Sequence, residues 1–348
     1  MKSPIKVALV GAGFIADVHL RYLQGLTDVE VVAIADLDSQ RVAATATKWR
    51  IPRTYTAVAD MLKEARPDSV HILTPPHTHH RVAMAVLDVG CHALVEKPMA
   101  MSVAECDAMI ARAAARGVVL GVVHNELFDP TVVELRRLIE SGEFGAVFHV
   151  DALRGTAFPQ GGQSVPWAHQ APVNLLYDIG PHPVYLARAI LGKIRTVNAS
   201  ARETFVGANP VYNDWRVLMS CERGTATLAV STAATPVQSH ITVFGTLGTI
   251  HADLMRMYLL TRRPSRLPSA IARGLSSFQE AAQMIVQTGV GSFNFAMGRL
   301  RPYQGLGHLL AQFYSALSAG DLPPVTGKDG RDVVVALDLI AAEMGVLQ

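Results

Sequence analysis

The sequence of 348 residues predicts two domains: a doubly wound parallel α/β domain over 1–124, and an α+β domain with a large, mostly antiparallel open sheet over 125–348. Two observations predict this division. Apolar strand-like runs alternate with helix-like segments over the first part of the chain, which is typical of parallel strands joined by crossover helices. Beyond residue 125, strands rich in Thr and Val with partial alternation indicate an antiparallel sheet with one face solvated or covered by a partner.

The first strand, Val7–Val10, breaks into a glycine-rich turn that opens a helix with apolar spacing. Gly11 permits the tight turn, Gly13 lets the main chain approach a pyrophosphate, and Ala16 lets the helix pack closely on the strand. The helix N-terminus offers free N–H groups to phosphates. A turn without any ligand is the alternative. The dinucleotide site that we expect here comprises Gly11, Gly13, Phe14 and Ile15.

The second strand, Val29–Ala35, ends at Asp36, roughly 20 residues after the glycines, where a carboxylate accepts hydrogen bonds from ribose hydroxyls. A carboxylate repels a 2′-phosphate, and the next residue, Leu37, offers no cation to bind one. Asp36 therefore predicts NAD(H) in preference to NADP(H). Its alternative role is a helix N-cap or a solvated strand end.

The following elements continue the alternation of strands and helices. Ser102 and Glu105 form a capping box for one helix, which Gly117 ends, and Gly90 ends the helix before it. The predicted helices are 39–48, 57–64, 79–89 and 102–116, and the predicted strands are 68–73, 92–95 and 118–123.

Polar residues follow these strands at their carboxyl ends, where doubly wound sheets bind ligands. Lys97 is expected to point toward the nicotinamide, and partial burial lowers the pKa of a lysine so that it can exchange a proton. A structural ion pair with Glu96 or another carboxylate is the alternative. The other candidates for cofactor or substrate binding at strand ends are Thr74, Pro75, His79, Glu96, His124 and Asn125.

The second half of the chain predicts one helix at 130–141, one at 175–191, and strands at 146–154, 196–203, 214–221, 225–231 and 240–244. Residues 255–302 carry a weaker pattern. The glycine-rich part from Gly289 to Gly298 is expected to be a loop that covers the pocket. The arginines at 262, 263, 266 and 273 form a basic cluster that could bind a phosphate or carboxylate of the substrate. The simpler interpretation is that these arginines lie on a solvated loop. Two closing helices are predicted at 305–319 and 330–347.

The segment Asp178-Ile179-Gly180-Pro181-His182 is the second candidate for chemistry. At a helix start, the i and i+4 spacing places Asp178 and His182 on one face. Oxidation of a secondary alcohol needs a base, and histidine suits that role near neutral pH. Asp178 could bind a substrate hydroxyl and orient the imidazole. A capping Asp beside a packed His is the alternative.

Composition narrows the class of protein. The net charge is +2 and no long basic run exists, so we expect no nucleic-acid partner. No apolar stretch reaches the roughly 18 residues of a membrane span, and no secretory pattern is seen, which predicts a cytoplasmic protein.

The three cysteines fit neither a disulfide framework nor a zinc site. The cluster His77, His79 and His80 lacks acidic or Cys partners, so no metal is predicted. His19 is expected to be packed or capping.

The motifs together resemble the Gfo/Idh/MocA oxidoreductases, the family of glucose–fructose oxidoreductase and inositol dehydrogenase. The resemblance covers most of the chain. It runs through GAGFIADVH at 11–19, TPPHTHH at 74–80, GCHALVEKPMA at 90–100, DPTVVELRRLIESGEFGAV at 129–147, YDIGPHPVYLARAILG at 177–192 and TVFGTLGTIHADL at 242–254.

The resemblance implies a Rossmann domain followed by a domain with a large open antiparallel sheet, which commonly forms the oligomer interface. We therefore expect a homodimer or homotetramer. In the family, the residues that match Lys97, Asp178 and His182 line the active site. Two segments depart from the family pattern: Val173-Asn174 stands in place of a Gly-Gly pair, and His124-Asn125-Glu126 in place of an Asn-Arg-Arg/Tyr run. Both segments face substrate or nicotinamide in the family, so an unusual substrate is expected.

The function expected from the sequence is transfer of a hydride between NAD(H) and a secondary alcohol or ketone of a sugar, cyclitol or sugar derivative. Two alternatives stay open: a redox-neutral lyase or epimerase with tightly held NAD, and a non-catalytic regulator that binds the cofactor.

Overall fold

The computed structural model describes residues 3–157, 171–206, 209–265, 267–298 and 301–345. It divides into two compact units, and each contains one sheet. The first unit comprises Met1–Asn125 and Gly305–Val335, and the second comprises Glu126–Gln304 and Ala336–Gln348.

The sheet of the first unit has six strands, all parallel, which confirms the predicted doubly wound fold. The strands are β1 (Ile5–Val10), β2 (Val29–Ala35), β3 (Thr54–Tyr55), β4 (Ser69–Ile72), β5 (His92–Val95) and β6 (Leu120–Val122), in the order β3-β2-β1-β4-β5-β6. The strand order reverses direction at β1, between β2 and β4, and such a switch point is where sheets of this kind bind dinucleotides. β3 is only two residues long and was not predicted.

The helices that cover this sheet begin and end where local chemistry dictates. The Asp38 carboxylate accepts the N–H groups of Gln40 and Arg41, both at 3.0 Å, and so caps one helix. Ser102 Oγ accepts the Glu105 N–H at 3.3 Å, as predicted for another. The helices are α1 (Phe14–Leu23), α2 (Ser39–Trp49), α3 (Val58–Ala65), α4 (His79–Asp88) and α5 (Val103–Arg116).

The chain returns to the first unit near its C-terminus. The two last helices are α10 (Gln304–Ala319) and α11 (Gly327–Ala342), and the residues between them run beside β6. There the Val122 N–H donates to the Val325 carbonyl at 3.2 Å. Phe313 and Tyr314 of α10 are fully buried. The predicted end of the last helix, Leu347, lies outside the described residues.

The sheet of the second unit has seven strands, and every pair is antiparallel except β7 with β10. It is therefore a mixed, mostly antiparallel sheet, as predicted. The strands are β7 (Val147–Ala157), β8 (Ile194–Val206), β9 (Asn209–Cys221), β10 (Gly224–Ser231), β11 (Ala233–Gly245), β12 (Gly248–Asp253) and β13 (Tyr258–Arg262), in the order β13-β12-β11-β7-β10-β9-β8. Its helices are α6 (Pro130–Glu140), α7 (Asn174–Ile179), α8 (Pro181–Leu191) and α9 (Ser269–Ala296).

Two predictions for this unit are wrong. The helix expected at 175–191 is two helices that meet at Gly180, because Pro181 takes the first position of α8 and has no N–H to continue α7. The loop expected from Gly289 to Gly298 belongs largely to α9, because an exposed helix tolerates glycine at a cost of only about 1 kcal/mol each. The strands β12 and β13 were missed.

The predicted basic cluster is partly neutralised by carboxylates. Arg262 pairs with Glu280, and Arg263 pairs with Glu143. Arg266 and the side chain of Arg273 lie outside the described part of the chain. Within that described part, no helix combines the length and the apolar character that a membrane crossing requires.

Candidate functional site

The glycine-rich turn has the geometry that a dinucleotide requires. Gly11 has φ +103°, and a Cβ there would lie 2.8 Å from the carbonyl carbon of Leu73, so only glycine fits. Gly13 is the N-cap of α1, and a Cβ built on it would meet no atom within 4 Å. Ala16 is fully buried. The N-terminus of α1 is therefore unobstructed at Gly13, with Phe14 exposed and Ile15 half-buried beside it.

Asp36 ties the end of β2 to this turn. Its Oδ2 accepts the Ala12 N–H at 2.8 Å and its Oδ1 accepts the Asp38 N–H at 2.9 Å. Each carboxylate oxygen retains a further lone pair for a ribose hydroxyl. Arg41 Nη1 lies 3.8 Å from Asp36 Oδ2, so a cation that the sequence pattern did not suggest is close to this carboxylate.

His79 bridges two of the strand-end loops. Its Nε2 lies 2.7 Å from the Thr74 carbonyl oxygen and its Nδ1 lies 2.9 Å from that of Pro98. The ring is fully buried, and burial lowers its pKa, although both carbonyls oppose that shift. His79 thus fixes the position of Thr74, whose hydroxyl accepts a hydrogen bond from Thr78 Oγ1 at 2.7 Å. Pro75 lies exposed between them.

The Glu-Lys-Pro segment follows β5. Glu96 is 8% exposed, and its Oε2 accepts the Lys97 N–H at 3.1 Å. The Lys97 side chain is half-buried, and its bond to Pro98 is cis. His124, after β6, is 2% exposed and Asn125 is half-buried.

A buried hydrogen-bonded chain, not predicted from sequence, leads inward from Glu96. Glu96 Oε1 lies 3.1 Å from His19 Nε2. The Nδ1 atom of His19 lies 2.8 Å from the Nδ1 atom of His71. On the other side of its ring, His71 Nε2 lies 2.6 Å from the Tyr314 hydroxyl. Burial, and then the neighbouring His19, hold the pKa of His71 well below its ordinary value. Burial also raises the pKa of Tyr314, so its hydroxyl stays protonated. His19 is packed, as expected.

His182 is the centre of a second polar group. It lies on the first turn of α8 and is 8% exposed. Its Nδ1 lies 2.7 Å from the Tyr185 hydroxyl and 3.2 Å from Glu126 Oε1. Arg154 Nη1 donates to the same Glu126 oxygen at 2.7 Å. The pKa of Tyr185 is raised well above its ordinary value by burial and by the Glu126 carboxylate.

Glu126, Arg154 and Tyr185 were not singled out from sequence. Their signals were weak: Glu126 stands in the segment that departs from the family pattern, and Arg154 is a cation inside a strand. Glu126 Oε2 is buried and, among the described residues, has no hydrogen-bond partner. Beside it a small cleft is lined by Glu126, Arg154, His182, Ser239 and His240. Glu126 thus combines a buried carboxylate oxygen without a hydrogen-bond partner among the described residues with a place in the lining of this cleft.

Asp178 lies on the last turn of α7 and is half-buried. The break at Gly180 separates it from His182, so the two residues do not share one continuous helix as the spacing suggested. Over the ranges that the structure describes, no group of three or more His, Cys, Asp or Glu side chains is arranged to hold a metal ion.

Residues 5–124 match the oxidoreductase family with an NAD-binding Rossmann fold, and residues 132–251 match the Gfo/Idh/MocA C-terminal domain. The chain is 31% identical over 202 residues to D-glucoside 3-dehydrogenase of Escherichia coli strain K12. The aligned residues make up 57% of this chain and 57% of that protein.

A second relative, scyllo-inositol 2-dehydrogenase (NADP(+)) IolU of Bacillus subtilis strain 168, is 26% identical over 270 residues, covering 76% of this chain and 78% of that one. The crystal structure of GenD2 from gentamicin A biosynthesis in complex with NAD has a TM-score of 0.79 at 25% identity, over 99% of this chain and 95% of that chain.

The chain spans little more than half the length of several curated relatives, 57% for D-glucoside 3-dehydrogenase and 52% for D-apiose dehydrogenase of Paraburkholderia graminis. The two family matches nevertheless lie one in each of the two units and together cover well over half of the sequence. The protein belongs to the Gfo/Idh/MocA family of oxidoreductases.

Proposed function

We propose that this protein is an NAD(H)-dependent oxidoreductase that interconverts a secondary alcohol and a ketone of a sugar, cyclitol or sugar derivative. The observation that carries the proposal is the setting of His182, a buried imidazole with a carboxylate and a phenol at one ring nitrogen. The named activities of the relatives, on a D-glucoside and on scyllo-inositol, support the substrate class.

His182 is the proposed acid/base. With a proton on Nδ1, directed at Glu126 and Tyr185, the imidazole presents Nε2 as the basic nitrogen. When Nε2 takes the hydroxyl proton of the substrate, the Glu126 carboxylate stabilises the positive charge on the ring. Arg154 neutralises Glu126 between turnovers, because a buried carboxylate without a partner is costly. The bound nicotinamide supplies the hydride acceptor or donor.

The remaining polar residues bind and polarise the substrate in this proposal. Lys97 polarises the reacting oxygen and shares its proton, and Asp178 positions a hydroxyl. Glu126 Oε2 accepts a second hydroxyl, which accounts for a buried carboxylate oxygen that has no partner among the described residues. His124 and Asn125 are further substrate contacts. This set of acceptors suits a polyhydroxylated ligand, because each hydroxyl can donate one hydrogen bond.

We propose NAD(H) as the preferred cofactor. The Gly11, Gly13, Phe14 and Ile15 turn holds the pyrophosphate, Asp36 accepts the ribose hydroxyls, and Thr74, Pro75, His79, Glu96 and Lys97 shape the nicotinamide end. Arg41 opposes this preference, since its guanidinium could pair with a 2′-phosphate. Asp36 is hydrogen-bonded directly to the glycine turn. We therefore expect its repulsion of a 2′-phosphate to outweigh the attraction that Arg41 exerts on that phosphate.

A cytoplasmic homodimer or homotetramer is also proposed. The side of the seven-stranded sheet opposite its buried face carries the half-exposed Leu218 and could pair with another copy. The three cysteines are buried and none of them forms a disulfide within the described part of the chain, which suits a reducing compartment.

The test is a panel of sugars and cyclitols with NAD+, read as absorbance at the nicotinamide band. Once the panel has identified a substrate, we expect His182→Asn and Lys97→Ala each to lower kcat by roughly 10²- to 10⁴-fold. That factor is the usual contribution of a positioned general acid or base. NADH binding, followed by fluorescence, is expected to stay within a few-fold of wild type.

His149→Asn is the matched control. That histidine lies on the exposed side of the sheet, where it bonds to Thr225 and Asp151, and its variant should keep full turnover. Full turnover by His182→Asn or by Lys97→Ala would refute the proposed roles. Cofactor binding without reduction across a broad panel would refute the enzymatic proposal.

A further inference from the structure

Helix α9 presents its polar side to its own sheet. Gln283 Oε1 accepts the Thr261 N–H at 2.9 Å, and Gln287 Oε1 accepts the Leu259 N–H at 2.6 Å. The amide groups of both glutamines donate back to the carbonyls of the same two strand residues. Glu280 pairs with Arg262 on the same side. The glutamines therefore take the place of a further strand along the edge of β13.

The opposite side of α9 is apolar and exposed. In a soluble domain an amphipathic helix buries its apolar face, so this orientation is inverted. The residues that share this outward face, with their exposed fractions, are Ile271 (58%), Leu275 (43%), Phe278 (77%), Ile285 (72%), Val286 (62%) and Phe293 (58%). We refer to these six residues as the outer face of α9.

The outer face is large enough to form a stable interface. If the roughly 150–250 Å² of an aromatic side chain is taken as an upper guide for each residue, the six exposed fractions add up to about 550–900 Å². One partner contributes about 800 Å² to a standard protein–protein interface, which lies within that range. The largest apolar patch on a typical monomer is about 300–600 Å². The sequence from Ala281 to Gly298 carries no charged residue, so two such helices would not repel along that half.

Two pairs of outer-face residues lie at equal distances on either side of Ala282, which is itself exposed, whereas Ile285 lies opposite Gln279. Ile271 and Phe293 lie eleven residues before and after it, and Phe278 and Val286 lie four residues before and after it. Leu275 and Gly289 lie seven residues on either side and pair a large residue with a small one. An interface between identical copies related by a two-fold axis requires such self-complementarity.

We infer that α9 is a dimerisation helix: its outer face packs antiparallel against the same face of α9 in a second copy of this chain, with the two-fold axis at Ala282. Phe278 of each copy then packs beside Val286 of the other, and Leu275 fills the space above Gly289. The spacing of three and four residues along the face is that of helices packed in a coiled-coil seam.

The mass of the full chain in solution tests this inference. Sedimentation at micromolar concentration should give a dimer or a larger even oligomer for the wild type. The double variant Phe278→Asp/Ile285→Asp should halve that mass. Ala281→Asp/Thr288→Asp adds the same charge to exposed positions of α9 off the outer face, and it should leave the mass unchanged. A monomeric wild type, or a Phe278→Asp/Ile285→Asp variant of unchanged mass, would overturn the inference.

A cysteine at the proposed axis tests the pairing by disulfide formation, without replacing the apolar residues Phe278 and Ile285 by aspartate. Ala282→Cys should form a disulfide-linked dimer on mild oxidation, because the native cysteines are all buried and the new one meets its own copy. Gly274→Cys should not, because eight residues of helix on each side of the axis separate its two copies by about 24 Å. Equal cross-linking of both variants, or of neither, would contradict the antiparallel pairing.

A lipid surface is the competing occupant, since arginines precede and follow α9 in the sequence. Co-sedimentation with phosphatidylcholine–phosphatidylserine vesicles separates the two. We expect no binding by the wild type. Vesicle binding that is abolished by Phe278→Asp/Ile285→Asp would overturn the inference and assign the outer face to the membrane.

Discussion

At the scale of single residues, two carboxylates of the proposed cofactor site, Asp36 and Glu96, accept hydrogen bonds from main-chain N–H groups before any ligand binds. Asp36 accepts from Ala12 and Asp38, and Glu96 accepts from Lys97. Such bonds hold a charged side chain in one rotamer, so no ordering is needed when a ligand arrives. Asp36 was predicted from its position after β2, but its bond to the glycine turn was not.

Cofactor choice is the prediction that belongs to Asp36. Asp36→Ser is expected to lower kcat/KM for NAD+ by about 10- to 100-fold, the value of one or two hydrogen bonds to a charged group. The same change removes the repulsion of a 2′-phosphate and leaves Arg41 to bind it, so kcat/KM for NADP+ should rise. The measurement is the ratio of the two constants.

Asp38→Ser serves as the control for that experiment. Asp38 caps α2 and also lies near Arg41, so its loss perturbs the same region without touching the ribose contact. Its NAD+ to NADP+ ratio should shift less than that of Asp36→Ser, because only Asp36 bonds to the glycine turn. An unchanged ratio in Asp36→Ser would show that another residue sets the preference.

At the scale of elements, the junction between α7 and α8 decides where His182 lies. Gly180 is buried, and a Cβ there would be 2.6 Å from the Leu176 carbonyl oxygen and 2.8 Å from Leu176 Cδ1. Gly180→Ala is therefore expected to lower the free energy of unfolding by about 1–3 kcal/mol, as overpacking does. Urea unfolding followed by circular dichroism measures this.

Gly274→Ala in α9 is the matched comparison, because a Cβ at that helical position meets no atom within 4 Å. It should raise stability by about 0.5–1 kcal/mol through helix propensity alone. If both glycine variants shift the unfolding midpoint in the same direction, the close contact at Gly180 does not determine the change in stability of Gly180→Ala.

Elements with strong local signals were predicted closely. The bounds of β2 and β5 agree with the structure to the residue, and Ser102 and Gly117 define α5 as expected. α9 was missed because its glycines suggested a loop and its apolar residues face away from the sheet. A pattern that is inverted relative to the core carries little information about packing.

At the scale of the whole molecule, buried histidines link stability to pH. Burial holds the pKa of His71 well below its ordinary value near 6.5 and lowers the pKa of His79. The His71 ring therefore stays neutral in the folded state while the unfolded chain binds a proton there. The free energy of unfolding should fall as the pH drops below about 6.5, at up to about 1.4 kcal/mol per pH unit for each such proton.

Urea titrations from about pH 8 down to about pH 5.5 would measure that slope. His71→Gln is expected to be less stable at the alkaline end, because it breaks the buried chain to Tyr314, but its acid slope should be shallower. His77→Gln replaces an exposed histidine and should retain the wild-type slope. Equal slopes in all three proteins would contradict the assignment to His71.

The sequence by itself determined the alternation of strands and helices, the glycine turn before Asp36, and the positions of Lys97 and His182. These features depend on short spacings along the chain. Only the tertiary structure decided that Glu126, paired with Arg154, contacts His182, that Tyr314 closes a chain begun by Glu96, and that α9 turns its apolar side outward. Those contacts join residues far apart in sequence, where strand order and register, and not local pattern, bring side chains together.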